Sequence, residues 1–145
     1  MRKINRIIVH CSASSFGNAA LIDSWHKQNG WDQIGYHYVI TNGLLESKSK
    51  YNLKNDGLIE TGRPVDIIGA HCKGKNRDSI GICLIGNTYF TSKQLLDSLP
   101  RLLRKIINKC GLKPIDIYGH RDFSEKPCPN IETEFLRQLI KIERV

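Results

Sequence analysis

Near the C-terminus, the stretch GHRDFSEKPCP (residues 119–129) places His120, Lys126 and Cys128 in one short loop, and a second histidine, His10, stands far upstream in IIVHCSAS. Imidazole nitrogen and thiolate sulfur are both good zinc donors. A hydrolytic zinc site takes three protein ligands and keeps a fourth position for water. His10, His120 and Cys128 would supply two nitrogens and one sulfur. Cys128 follows His120 by eight residues, which lets a loop fold back on one ion, and Pro127 and Pro129 stiffen the backbone around it. Each element alone is weak. A histidine after a strand is more often a hydrogen-bonded or surface residue, and a lone cysteine is more often a small buried hydrophobe. HRD also occurs in protein kinases, but a chain of 145 residues with no glycine-rich loop and no DFG excludes that reading.

The elements that must position these residues can be read from periodicity. INRIIVHCSAS is a short β-branched run ending in small polar residues, which predicts a buried strand with His10 at its carboxyl end. NAALIDSWHKQNG predicts a helix capped by Asn18 and ended by Gly30, with Leu21, Trp25 and Gln28 on one face. GYHYVIT predicts a strand closed by an Asn42-Gly43 turn, and a regular strand would send His37 to the opposite face from Tyr36. Residues 44–57 are polar and lysine-rich, with a second turn signal at Asp56-Gly57, and predict an irregular excursion or extended hairpin. LIETGRP and SIGICLIG are further strands, the latter apolar throughout and hence central. Thr91 and Gln94 form a capping box before an amphipathic helix that Gly111 ends and Pro100 should kink or divide. KPIDIYGH is a strand that again ends in a histidine, and residues 130–145 close the chain as a helix. The alternation predicts a single α/β domain over residues 1–145, a central mixed β-sheet flanked by helices. Ligands of open α/β sheets gather beyond the carboxyl ends of strands, where both His10 and His120 fall.

Composition narrows the setting. A chain of this length can bury one core without staples, and its net charge of +8 favours anionic partners: nucleic acid, anionic lipid or an acidic wall polymer. Five cysteines leave at least one unpaired, and no C-x-x-C pair occurs. Scattered cysteines in such a chain suggest folding in a reducing compartment. The N-terminal apolar run is only Ile7-Ile8-Val9, too short for a signal peptide, and nothing approaches a membrane span. Synthesis in the cytoplasm without membrane insertion is the expectation.

IIVHCSAS, WHKQNGWDQIGYHYVI, GAHCKGKNRDSIGICLIGN and YGHRDFSEKPCP occur in the order, and nearly the spacing, of the phage-lysozyme-type N-acetylmuramoyl-L-alanine amidases. These are zinc enzymes related to the peptidoglycan recognition proteins, and the chain resembles them from about Arg6 to the final helix. The resemblance implies one zinc held by His10, His120 and Cys128, a catalytic tyrosine at Tyr36 in GYHY and a catalytic lysine at Lys126. It implies metal-assisted hydrolysis of the amide between N-acetylmuramic acid and L-alanine of peptidoglycan. His71 in GAHCKG matches a family position near the cleft, where a substrate contact and a structural role both remain open; Asn76 either contacts the stem peptide or closes a turn. His26 is expected to be structural or exposed, and Arg121 to pair with Asp122 or with a substrate carboxylate.

Residues 44–57 look longer than the hairpin usual in the phage enzymes and would either extend one wall of the cleft or form an inert loop. A phage or prophage endolysin, monomeric and antibacterial, reaching the cell wall after release or export, fits this set of features, and a cytosolic recycling amidase or an exported antibacterial effector fits it too. A non-catalytic peptidoglycan-binding module is the main alternative, and Cys128 with Lys126 argues against it. A nucleic-acid-binding domain fits the charge alone, with no recognisable module.

Overall fold

The apolar run RIIVHC forms β1 (Arg6–Cys11), and the computed structural model, which describes residues 2–141, places it inside a five-stranded sheet. The others are β2 (Tyr38–Asn42), β3 (Asp56–Thr61), β4 (Ser79–Leu84) and β5 (Ile117–Gly119), in the order β3-β2-β4-β1-β5. β4 lies at the centre, paired in parallel with β1 and β2; β5 is parallel to β1, and β3 runs antiparallel to β2. The sheet is therefore mixed, as the alternation of elements predicts.

Strand alternation divides the sheet into two faces. Ile7, Val9, Ile40, Ile80, Ile82, Leu84 and Ile117 turn to one side and make the larger core with α2 (Leu99–Cys110) and α3 (Thr133–Leu139). On the other side Val39, Cys83 and Ile85 pack with Ile22 of α1 (Ala19–Gln28) and with Ile34. α1 covers only part of that face, and the part left open carries the candidate site.

Local signals explain most boundaries. Asn18 caps α1, its side chain accepting from the Leu21 N–H at 2.8 Å. The buried face of α1 centres on Ile22, while Gln28 is exposed; leverage from Trp25 and Ala19 beside Ile22, and not a stripe through Gln28, seats the helix. The Thr91–Gln94 capping box forms in both directions, at 2.9 and 3.1 Å. Pro100 divides the helical path as expected: a π-helical turn, Gln94–Ser98, precedes α2 and leaves Pro100 in its first turn, where no N–H is required. Gly111 ends α2 at φ 68°, a left-handed conformation natural to glycine.

Two expectations are corrected. Asp56-Gly57 is not a turn, because both residues already belong to β3. The reversal comes earlier, in the 3-10 turn Leu53–Asn55, where Asn52 Oδ1 accepts from the Lys54 N–H at 3.0 Å. Asp56 is buried and held by hydroxyls of Tyr51 and Thr91, so it is committed to the sheet. Likewise His37 does not face away from Tyr36. The regular ladder of β2 begins at Tyr38, and the preceding residues bond irregularly, with Tyr36 and His37 carbonyls accepting from Arg63 and Gly62. Both side chains consequently lie near His71, with ring centroids at 6.4 and 5.8 Å. Of the expected C-terminal helix, Thr133–Leu139 is helical, and residues 142–145 lie outside the described residues. Among the described residues no helix is long and apolar enough to cross a membrane.

Candidate active site

The site is built where β1 and β5 end side by side. Register pairs Val9 with Gly119, so His120, the residue after β5, comes level with His10 on β1. Their ring centroids are 4.6 Å apart. His10 points to the open face because Ile7 and Val9, its alternates, belong to the opposite core. The loop from His120 then doubles back. Arg121 N–H donates to the Cys128 carbonyl at 2.7 Å, and Asp122 accepts both the Gly119 N–H and the Thr133 hydroxyl. Gly119 admits the close approach of Pro129: a Cβ there would stand 2.9 Å from Pro129 Cδ. Cys128 is thereby returned to the sheet edge, where its Sγ accepts the Cys11 N–H at 3.2 Å.

One donor atom each from His10, His120 and Cys128 lies within 4.8 Å of the others. Donors around one tetrahedral ion stand about 3.3–3.8 Å apart, so this cluster needs only a small contraction to close on an ion, and a two-nitrogen, one-sulfur set suits zinc. Electrostatics fit the same role. Burial, then the neighbouring His71 and His120, hold the His10 imidazole far below its ordinary range. Burial and the Lys126 ammonium lower His120. Both rings are thus neutral near pH 7, as ligands must be. Cys11 and Cys128 form a thiol pair, with sulfurs 3.7 Å apart. The hydrogen bond between them draws Cys11 down to about 7, and the same bond with burial pushes Cys128 up, so the pair releases one proton readily and the second reluctantly. A cation at the site would favour the negative charge on Cys128, whose sulfur the Cys11 amide already addresses.

A cleft of about 540 Å³ opens over these residues, with Trp31, Tyr36, His71, Lys73, Asn76 and Lys126 among its walls. Burial first, and then the sulfurs of Cys83, Cys128 and Cys11, push the Tyr36 phenol well above its ordinary value, so it stays protonated and can donate. Tyr36 and His10 rings are 5.1 Å apart. Lys73 and Lys126 line the cleft, and among the described residues no carboxylate does. All seven residues singled out in the sequence are therefore at this one place. Asn76 lines the cleft while its Oδ1 accepts the N–H groups of His71 and Cys72, both at 2.9 Å.

Other expectations resolve differently. Arg121 pairs with Glu132 at 3.6 Å and not with Asp122, which is occupied by Gly119 and Thr133. Residues 44–57 contribute nothing to this cleft; Leu44 and Tyr51 border a separate one of about 280 Å³. His26 is structural, as one of the two expectations had it, accepting the Gly35 N–H at 3.0 Å and packing tilted against the Trp31 ring at 4.4 Å. Sequence reasoning passed over Cys11, Trp31 and Lys73. Cys11 was detectable as the neighbour of His10 at a strand end, where alternation ceases to separate adjacent side chains; Lys73 and Trp31 carried no signal beyond lying beside His71 and Tyr36.

A mixed-sheet α/β domain with a His/His/Cys cluster at the carboxyl ends of its strands fits a metal-dependent hydrolase. Residues 1–131 match the N-acetylmuramoyl-L-alanine amidase family, and the chain belongs to it. It is 34% identical over 137 residues to the endolysin of Enterobacteria phage T3, covering 87% of this chain and 80% of that one. Among solved structures it superimposes on the N-acetylmuramoyl-L-alanine amidase LysC from Clostridium intestinale with a TM-score of 0.78 at 30% identity, covering 98% of this chain and 88% of the other. It also resembles a chain in the complex of tracheal cytotoxin with peptidoglycan recognition proteins LCa and LCx, with a TM-score of 0.70 at 29% identity and coverage of 97% and 82%. The protein is an N-acetylmuramoyl-L-alanine amidase that acts on peptidoglycan.

Proposed function

We propose that this amidase is zinc-dependent, that it cleaves the amide joining the lactyl group of N-acetylmuramic acid to L-alanine of the stem peptide, and that it serves as a phage or prophage lysis enzyme. The observation that carries the reading is the convergence of His10, His120 and Cys128 donors within 4.8 Å, with both histidines lining the cleft. These three residues would hold one zinc. When bound it supplies Lewis acidity and brings the ionisation of a water into the neutral range.

The remaining work falls to this chain's own side chains. Tyr36, kept protonated by its burial, donates a hydrogen bond to the attacked carbonyl oxygen as that oxygen gains charge. Lys126 places a fixed cation at the cleft beside His120 and stabilises the same developing charge. Lys73 adds a second cation, which suits a stem peptide carrying carboxylates. Asn76 lines the cleft wall on the side where the peptide would lie, and His71 lines it from behind His10 with little of its surface open.

The test pairs metal content with product chemistry. Purified protein should contain about one zinc per chain and release peptides with a free L-alanine N-terminus from isolated peptidoglycan. Chelation should stop the release, and added zinc should restore it. A metal-free preparation with full activity, or products cleaved at a glycosidic or inter-peptide bond, would overturn the reading.

A further inference from the structure

His10 has two ring nitrogens, and one is already engaged. Its Nε2 lies 2.8 Å from His71 Nδ1, with the two rings edge to face at a centroid distance of 4.9 Å. On the far side, His71 Nε2 lies 3.3 Å from Ser79 Oγ. A neutral imidazole has one N–H and one lone pair, so the direction of these bonds is constrained. With Nε2 turned to His71, Nδ1 is the His10 nitrogen left for an ion. A metal on Nδ1 puts the His10 proton on Nε2, which then donates to His71 Nδ1. His71 in turn carries its proton on Nε2 and donates to Ser79 Oγ. The alternative tautomer of His71 would set two N–H groups against each other at 2.8 Å.

The surroundings are shaped for this ring. A Cβ on Gly81 would stand 2.6 Å from His71 Cγ, and one on Gly69 would stand 2.6 Å from its Cδ2; side chains at either position would exclude the imidazole. Asn76 Oδ1 pins the backbone of His71 and Cys72. His71 is 9% exposed, so most of its surface serves this enclosure and little remains for a ligand. A residue serving only to touch substrate would need neither Ser79 behind it nor glycines above and below.

We propose that His71 is a positioning residue: it fixes the tautomer and ring orientation of His10 so that Nδ1 is presented to the metal, with Ser79 fixing His71 in the same way. This rests on the zinc reading given above. Outer partners of metal-bound histidines typically change metal affinity about 10- to 100-fold when removed, and the effect appears in binding itself, before any substrate is present.

The experiment measures zinc affinity by competition with a chromophoric chelator, using zinc alone and no substrate. His71→Ala should weaken zinc binding about 10- to 100-fold. His71→Gln, whose side-chain carbonyl can accept the His10 N–H, should recover most of the loss. Nitrogen-15 spectra of the unmutated protein should show His71 protonated at Nε2 and bare at Nδ1, a readout that does not depend on a variant folding. Wild-type affinity in His71→Ala, or a proton on His71 Nδ1, would overturn the proposal. Cys128→Ser separates the two readings: if it loses zinc while His71→Ala does not, only the role of His71 falls. If both variants bind zinc as wild type, the metal site itself is wrong and this inference falls with it.

Discussion

Cys128 and Lys126 are two residues apart in one loop, yet the geometry gives them separable jobs. Lys126→Ala should leave zinc content unchanged while lowering kcat about 100- to 1,000-fold, the usual effect of removing one group that stabilises an oxyanion. Cys128→Ser should lower both. Paired metal analysis and kinetics on peptidoglycan check the split. His37 carries a different prediction. Its Nδ1 accepts the Gly81 N–H and its Nε2 faces the Ile67 carbonyl, so the neutral ring is built into the fold. Burial, assisted by the charges of Arg2 and Arg63, lowers it from 6.5 to about 4. Because the folded value lies below the unfolded one, the unfolded chain takes up the proton first as pH falls. Stability is fully present above about pH 6.5 and is lost progressively towards pH 4, by about 3 kcal/mol from this residue. Urea unfolding of the metal-free protein across that window measures the slope, and His37→Gln should reduce it by this share, leaving the part due to His10, His71 and His120, which are lowered in the same direction.

Among elements, the join between the helical layer and the sheet turns on Gln94. It begins the π-helical turn, is fully buried, and reaches the carbonyls of Ile40 within β2 and Ile85 just past β4, at 3.1 and 2.8 Å. Its Oε1 meanwhile closes the capping box with Thr91. Gln94→Leu removes the donors and the acceptor together inside the protein and should cost about 2–3 kcal/mol in urea unfolding. Gln94→Glu should cost more, since it substitutes a buried charge facing two carbonyl oxygens. The capping box was readable from Thr91 and Gln94 alone. The reach to two strands was not, because it depends on where β2 and β4 end relative to a helix far along the chain.

At the scale of the whole molecule, a net charge of +8 and the two lysines of the cleft act on the same side: they draw an anionic polymer towards the site. Raising ionic strength from about 0.01 to about 0.15 M shortens the screening length from about 30 to about 8 Å. The initial rate on whole peptidoglycan at low substrate should therefore fall severalfold, while cleavage of a short, neutral muramyl peptide should hardly change. An equal loss on both substrates would place the salt effect at the catalytic groups.

From the order of residues alone, the strands ending in His10 and His120, the central position of SIGICLIG, the caps at Asn18 and Thr91, and the candidate set of His10, Tyr36, Lys126, His120 and Cys128 could all be identified. The strands, the caps and the His10, His120 and Cys128 donors depend on local periodicity, cap chemistry or motif spacing, which are written along the chain; the roles of Tyr36 and Lys126 came from the resemblance of the ordered motifs to a known family. Other features came only with tertiary structure: Tyr36 and His37 sharing a side, Arg121 choosing Glu132, residues 44–57 standing clear of the cleft, and His71 lying behind His10. These depend on register between strands distant in sequence and on which donor is already occupied. A histidine followed by a second one 61 positions later says nothing of a shared hydrogen bond; the parallel pairing of β1 with β4, and the loop that lays His71 over Gly81 of β4, bring the two within 2.8 Å.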